Sequence, residues 1–493
     1  MSERLSGILL HPTSLPGPGG LGEDARKFVD FLAAASCSLW QMLPPGPVGP
    51  ENSPYAARSA FALEPMLISL PDLARNGLLD PDIDFTPPDR DPHNLDFEAL
   101  RAHREPFLRV AHKNFTATHG PSELESFTRA RPWLKPYAHF AALRESHDQP
   151  WWLWPASERD GSLEGDAIGP ALTAEISYHV FLQWILDRQW NALRAYANSR
   201  GVSLYGDVPI LVDLDSADVW SERGQFKLDA RGMPRVVAGV PPDLFSETGQ
   251  RWGNPHYDWR AMRNDGFAWW LRRMRRTFAL FDGVRIDHFR GFESAWEIPA
   301  SEATAIKGHW EPGPGRALFE AMASAMGKLN IIVEDLGLIT PEVRALRDAL
   351  GYPGMAVLQF AFAGDSTNPY LPHNHIKNQV VFTGTHDNDT TLGWYEKATP
   401  AERHSVRNYL SVDGHDIVND LIRAAYHSVA NTAIIPMQDV LELDSEARMN
   451  VPGRAEGNWR WRFTWDQLEP DRTAWLANLA EESGRAPTHN GSK

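Results

Sequence analysis

Cysteine is nearly absent from this sequence: Cys37 is the only one in 493 residues. A lone thiol excludes an intrachain disulfide framework and any thiolate-rich metal centre, and it suits a reducing compartment. Basic charge is also in deficit, with 48 Lys and Arg against 64 Asp and Glu and a formal net charge of −16. Binding to a phosphate backbone needs a basic face, so no nucleic-acid partner is expected. Long apolar runs are missing too. Nothing approaches the ~20 consecutive apolar residues of a membrane span, and the run Ile8-Leu9-Leu10 is too short for the core of a secretory signal. The expectation is a cytosolic, cytoplasmic chain with no membrane partner. Fixed-period repeats and low-complexity linkers are lacking. So are His-Glu-x-x-His, Gly-x-Ser-x-Gly and P-loop patterns, which argues against zinc-protease, serine-hydrolase and nucleotide chemistry. Neither a metal nor a cofactor is expected.

Tryptophan, by contrast, is abundant, with 19 residues. Indole faces suit the apolar C–H edges of sugar rings, and they also fill large cores. Short apolar runs recur at 7–10, 39–43, 202–211, 283–287, 331–334, 357–360, 380–382 and 433–435. Each is followed by a Gly/Pro/Asp-rich loop and a helix-like stretch. Rich in Val, Ile and Leu, they read as eight buried strands. Their alternation with helices predicts an α/β fold with a parallel sheet closed into a (β/α)₈ TIM barrel. One helix start is explicit, since Thr340 and Pro341 open an amphipathic pattern over 341–350.

The interval between the second and third runs is far too long for one helix. Residues 70–175 are read as a mostly helical insertion subdomain, with the barrel made of 1–69 and 176–493. The stretch 176–198 is read as the helix returning to the barrel, with Val180, Phe181, Trp184, Ile185 and Trp190 on one core-facing stripe. Residues 220–259 read as a long loop over the barrel mouth, forming an active-site lid. The tail after Ser483 reads as a polar, frayed end.

Three of the predicted strands finish in carboxylates: Asp287 after Arg285-Ile286, Glu334 after Ile332-Val333, and Asp387 after Thr385-His386. In a parallel barrel these ends converge on one face. Crowding carboxylates there costs desolvation and mutual repulsion, which is hard to explain structurally and easy to explain catalytically. Glycoside chemistry needs one carboxylate to attack the anomeric carbon and one protonated carboxyl to feed the leaving oxygen. Crowding keeps the second neutral beside an ionised first. Arg285 stands two residues before Asp287 on the same strand face, where its guanidinium can hold that carboxylate ionised and oriented.

Four short regions resemble those of the α-amylase clan: Asp207-Val208-Pro209-Ile210, Arg285-Ile286-Asp287-His288, Glu334-Asp335-Leu336-Gly337 and Thr385-His386-Asp387-Asn388. The flanks Gly7-Ile8-Leu9-Leu10-His11-Pro12, Val237-Ala238-Gly239-Val240-Pro241-Pro242-Asp243 and Phe289-Arg290-Gly291-Phe292 are similar to amylomaltases, the 4-α-glucanotransferases or disproportionating enzymes. The match runs from about Gly7 to Phe463, nearly the whole chain. The resemblance implies that Asp287 is the nucleophile, Glu334 the general acid/base, and Asp387 the group that binds sugar hydroxyls and steadies the transition state. It implies that Arg285 supports Asp287, and that His386 and His288 hydrogen-bond the sugar at the cleavage point. In the lid, Asp243 would bind an acceptor hydroxyl and Trp252 would stack on a sugar. Ser53-Pro54-Tyr55 matches a substrate-lining turn, with Tyr55 a second stacking group. Asp207 is read as either a structural or a sugar-facing residue.

The pattern departs from the family at Ala56, at Leu63-Glu64, where Gly-Asn is usual, and at Gly22-Glu23-Asp24-Ala25. The implied partners are α-1,4-glucan donors and acceptors: glucose, maltose or maltodextrin. Retaining transfer, α-glucan hydrolysis and a non-catalytic glycan-binding barrel remain three distinct readings at this stage.

Overall fold

The apolar runs become strands because alternate side chains enter a barrel interior while their neighbours meet surrounding helices. The computed structural model describes residues 4–17, 20–87, 91–160, 169–242 and 246–487. Among the described residues, the strands in chain order are β1 (Leu5–Leu9), β2 (Leu39–Gln41), β3 (Ser203–Val208), β4 (Val236–Val240), β5 (Gln250–Pro255), β6 (Gly283–Ile286), β7 (Ser294–Pro299), β8 (His309–Pro312), β9 (Ile331–Val333), β10 (Gly354–Val357), β11 (Gln379–Phe382) and β12 (Thr432–Pro436). Eight of them run parallel in the order β10-β11-β12-β1-β2-β3-β6-β9. The two end strands approach each other where Val333 N donates to Pro353 O at 3.0 Å. Helices pack around this sheet as a TIM barrel. Aromatic rings and glycines interlock on adjacent strands. A Cβ at Gly283 would sit 2.4 Å from the Tyr205 ring, and one at Gly206 would sit 2.5 Å from Phe281.

Seven of the eight runs anticipated from sequence supply strands of this sheet, and the sixth, 357–360, meets it only at Val357. The strand is Gly354–Val357, and Leu358–Phe360 forms a 3₁₀ turn after it. The helix anticipated from Thr340 spans Pro341–Leu350 and ends at Gly351, which has a φ of 70°; a left-handed residue there suits glycine.

Between β2 and β3 lie the helices Leu70–Arg75, Phe97–His119, Ser122–Arg129 and Leu134–Ser146, and the long helix Pro170–Ser199. In the last, Val180, Phe181, Trp184, Ile185 and Trp190 are all buried. The side-chain amides of Gln183 and Gln189 each bind one backbone unit as a partner strand would. Gln183 accepts from Leu63 N at 2.9 Å and donates to Leu63 O at 2.8 Å, while Gln189 does the same at Ser69 at 2.7 and 3.0 Å.

Two expectations need correction. The segment 220–259 is not simply a loop. Its strands β4 and β5 join β7 and β8 in a four-stranded antiparallel sheet ordered β5-β4-β7-β8, because Val236-Val237-Ala238 can pair with Glu297-Ile298-Pro299 over a small core of Val237, Ile298 and Ala305. Nor does the chain fray directly after Ser483. Arg485 is fully buried, and its guanidinium donates to Tyr426 O at 2.8 Å, Leu5 O at 2.9 Å and Ala430 O at 2.9 Å. One cation that satisfies several carbonyl oxygens pins the segment. Among the described residues, no helix is long and apolar enough to cross a membrane.

Candidate active site

The parallel sheet delivers its C-terminal ends to one face, and ladder contacts lock the residues there in place. Asp287 N donates to Val208 O at 3.0 Å, and Glu334 N donates to Ile286 O at 2.9 Å. Three adjacent strands, β3, β6 and β9, thereby present Asp207, Arg285 with Asp287, and Glu334 side by side. His288 takes a left-handed φ of 49°, which turns the chain back so that its N–H donates to the Glu334 carboxylate.

Arg285 is the hub. Its guanidinium is buried and donates to Asp207 Oδ2 at 2.5 Å; it stands 3.0 Å from Asp287 Oδ1 and 3.7 Å from Glu334 Oε2. The last two contacts share one nitrogen, so these carboxylate oxygens lie within roughly 7 Å of each other, a bound that admits the ~5–5.5 Å spacing of retaining glycosidases. Burial, then the Asp287 charge, push the Glu334 carboxyl up to about 8, against the pull of Arg285 and the His288 N–H. A proton therefore stays on Glu334 near neutrality. Burial also raises Asp207, opposed by Arg285, while the surrounding anions keep the Arg285 guanidinium charged.

Tyr55 follows β2 and donates its hydroxyl to Asp207 Oδ2 at 2.7 Å. Ser53 does not point at the carboxylates. Its Oγ accepts from Tyr55 N at 3.3 Å and shapes the turn. The Tyr55 ring stacks on His386, with centroids 5.0 Å apart and planes at 15°, and Trp459 leans on both rings at 5.9 and 6.0 Å. His386 Nε2 lies 3.3 Å from Asp387 Oδ2. Asp387 is about half exposed, and its charge acts on both Tyr55 and Glu334. Burial lowers His288 to about 4 and His11 to about 3, which makes both neutral near pH 7. Trp252, on β5, meets His288 edge-on at 4.9 Å and remains 40% exposed. The second sheet thus reaches the turn at His288. Asp243 lies outside the described residues.

Several contributors escaped the sequence reading. Asn450 donates to Asp387 Oδ1 at 2.6 Å, and Arg448 donates to the Asp387 carbonyl at 2.6 Å. Trp459 also belongs here, through its contacts with Tyr55 and His386. Nothing local in the sequence marks Asn450. Two other carboxylate–histidine groups, Glu145/Glu175/His179 and Glu297/His309/Glu311, already hold a protein cation. Arg109 stands 2.6 Å from Glu175, and Lys227 stands 2.5 Å from Glu297.

A buried carboxyl that keeps its proton close to a second carboxylate is the pairing that acid-assisted glycosidic bond cleavage requires. A family model described as 4-alpha-glucanotransferase matches residues 10–468. The chain is 47% identical to the 4-alpha-glucanotransferase of Thermus thermophilus over 98% of its own length and 99% of the relative's. It is 47% identical to the chloroplastic/amyloplastic 4-alpha-glucanotransferase of Solanum tuberosum over 95% and 84%. Among solved structures, the amylomaltase from Streptococcus agalactiae in complex with acarbose superposes with a TM-score of 0.93 at 35% identity, covering 98% of this chain and 100% of that one. The chain therefore belongs to the 4-alpha-glucanotransferase family, the amylomaltases.

Proposed function

We propose that the enzyme moves a segment of a 1,4-α-D-glucan to the 4-hydroxyl of an acceptor glucose, maltose or maltodextrin by a retaining double displacement through Asp287. In the first half, Asp287 Oδ attacks C1 while the Glu334 proton passes to the departing glycosidic oxygen, leaving a covalent glucosyl-enzyme. In the second half, the acceptor hydroxyl gives its proton to the Glu334 carboxylate, and its oxygen displaces Asp287 from C1. Arg285 orients Asp287 through their 3.0 Å contact, and Asp387 binds sugar hydroxyls of the distorted ring. Tyr55, His386 and neutral His288 orient the sugar. Asp243 binds an acceptor hydroxyl, Trp252 stacks on a sugar, and the segment 220–259 excludes water.

The observation that carries this reading is the single guanidinium nitrogen of Arg285 shared by Asp287 at 3.0 Å and Glu334 at 3.7 Å, where burial and the Asp287 charge raise the Glu334 carboxyl. A barrel that only binds glycan has no use for that pairing. Incubation with maltotriose tests it. Glucose and longer maltodextrins are expected to appear while total reducing ends stay constant. A steady rise in reducing ends would instead make the protein a hydrolase, and no change at all a binding protein.

A further inference from the structure

Beside the barrel, where the loop after β2 meets the helix Phe97–His119, lies an open-sided cavity of about 610 Å³. The helix places Arg101 and Arg104 one turn apart on one face, and both line this cavity. Arg104 is only 2% exposed, yet its Nε and one terminal nitrogen have no hydrogen-bond partner, and a terminal nitrogen of Arg101 has none either. Buried guanidinium donors without acceptors are costly.

The remaining charges around the cavity are already engaged. Arg58 and Arg144 hold Asp215 at 2.5 and 3.1 Å, and Arg109 holds Glu105 and Glu145 at 2.6 and 3.2 Å. Glu64 also lines the cavity. Its two oxygens accept from Val48 N at 2.8 Å and Met66 N at 3.1 Å, and it does not bond the free nitrogens of Arg104. Two guanidinium groups with unused donors thus line the cavity together with Glu64, whose carboxylate is capped by backbone N–H groups.

We propose that this cavity binds a small oxyanion, a phosphate group either free or carried on a sugar, through Arg104 and Arg101. The guanidinium fork matches oxyanion geometry, and the volume falls within the ~300–1,000 Å³ of small-molecule sites. The wall at 47–50 continues into Ser53-Pro54-Tyr55, so an occupant would rest against the root of a sugar-facing turn.

Calorimetric titration of the full chain with inorganic phosphate, at constant ionic strength set by chloride, tests the proposal. Saturable binding is expected, and Arg104→Met should weaken it about tenfold or more while maltotriose turnover stays within about twofold. Removing an unpartnered buried charge should leave the melting temperature no lower than that of the parent. Arg101→Ala, at a partly exposed position, is a second variant, expected to weaken phosphate to a smaller degree. Tighter binding of glucose 6-phosphate would assign a sugar-borne phosphate, and equal binding a free one. The proposal is overturned if phosphate gives no saturable heat, or if folded Arg104→Met binds it as the parent does. A response to phosphate that chloride reproduces would mean charge screening alone, and would overturn it equally.

Discussion

Three acids meet the Arg285 guanidinium at different distances, Asp207 at 2.5 Å, Asp287 at 3.0 Å and Glu334 at 3.7 Å. Glu334 is the most consequential. Its carboxyl sits near 8 in the folded protein against an ordinary 4.5, so the native state holds the proton more tightly than the unfolded chain. Stability attributable to this residue therefore falls as pH rises from about 4.5 to about 8. Glu334→Gln removes that dependence. Urea denaturation is expected to show the variant gaining on the wild type between those limits, while its glucan turnover drops by orders of magnitude. For the wild type, kcat/KM on maltotriose should decline on an alkaline limb near pH 8 as the acid loses its proton. Tyr55→Phe deletes the 2.7 Å hydrogen bond to Asp207, a charge-assisted contact whose loss should lower kcat/KM roughly tenfold to a hundredfold with the fold intact. An unchanged value would remove Tyr55 from the relay that steadies Arg285. At this scale the sequence was informative wherever a residue closed a strand, as Asp287 and Glu334 do. Asp207 could be read either way, because its role comes from Tyr55 and Arg285, which are distant in the chain.

Among the elements, the small antiparallel sheet was the least legible. Strands β5 (Gln-Arg-Trp-Gly-Asn-Pro) and β8 (His-Trp-Glu-Pro) carry no apolar alternation and are largely exposed, so no periodicity announced them. The displaced β10 has a related cause: its last residue and the following 3₁₀ turn are more apolar than its first, and hydrophobicity alone drew the strand too far along. The barrel strands were legible because burial on both sides concentrates apolar residues in short runs, as in Ile331–Val333 and Gln379–Phe382. The small sheet grows from the connections after β3 and β6, which flank Asp287, and its tight point is Gly239. A Cβ there would lie 2.0 Å from Gln250 O. Gly239→Ala should part β4 from β5 and loosen Trp252 from His288. Maltotriose assays are expected to register a severalfold fall in the ratio of transfer to hydrolysis, with the barrel's melting behaviour little altered. A preserved ratio would detach the sheet from acceptor selection.

Across the whole molecule, a formal charge of −16 surrounds a site whose substrates are neutral. Electrostatic steering acts on charged ligands, and salt screens it over a Debye length of ~10 Å at 0.1 M. kcat/KM on maltotriose is therefore expected to change by less than about twofold between roughly 0.02 and 0.5 M salt. A steep dependence would mean that surface charge gates the cleft. The barrel itself joins distant parts of the chain: β1 pairs with β12, Leu5 N donates to Asn431 O at 2.7 Å, and Arg485 reaches Leu5 O. On the ribosome, at ~5–20 residues per second, β1 must wait on the order of a minute before its outer neighbour emerges. During that interval an apolar strand edge stands open while the helices between β2 and β3 take shape, and nascent copies have their greatest opportunity to aggregate.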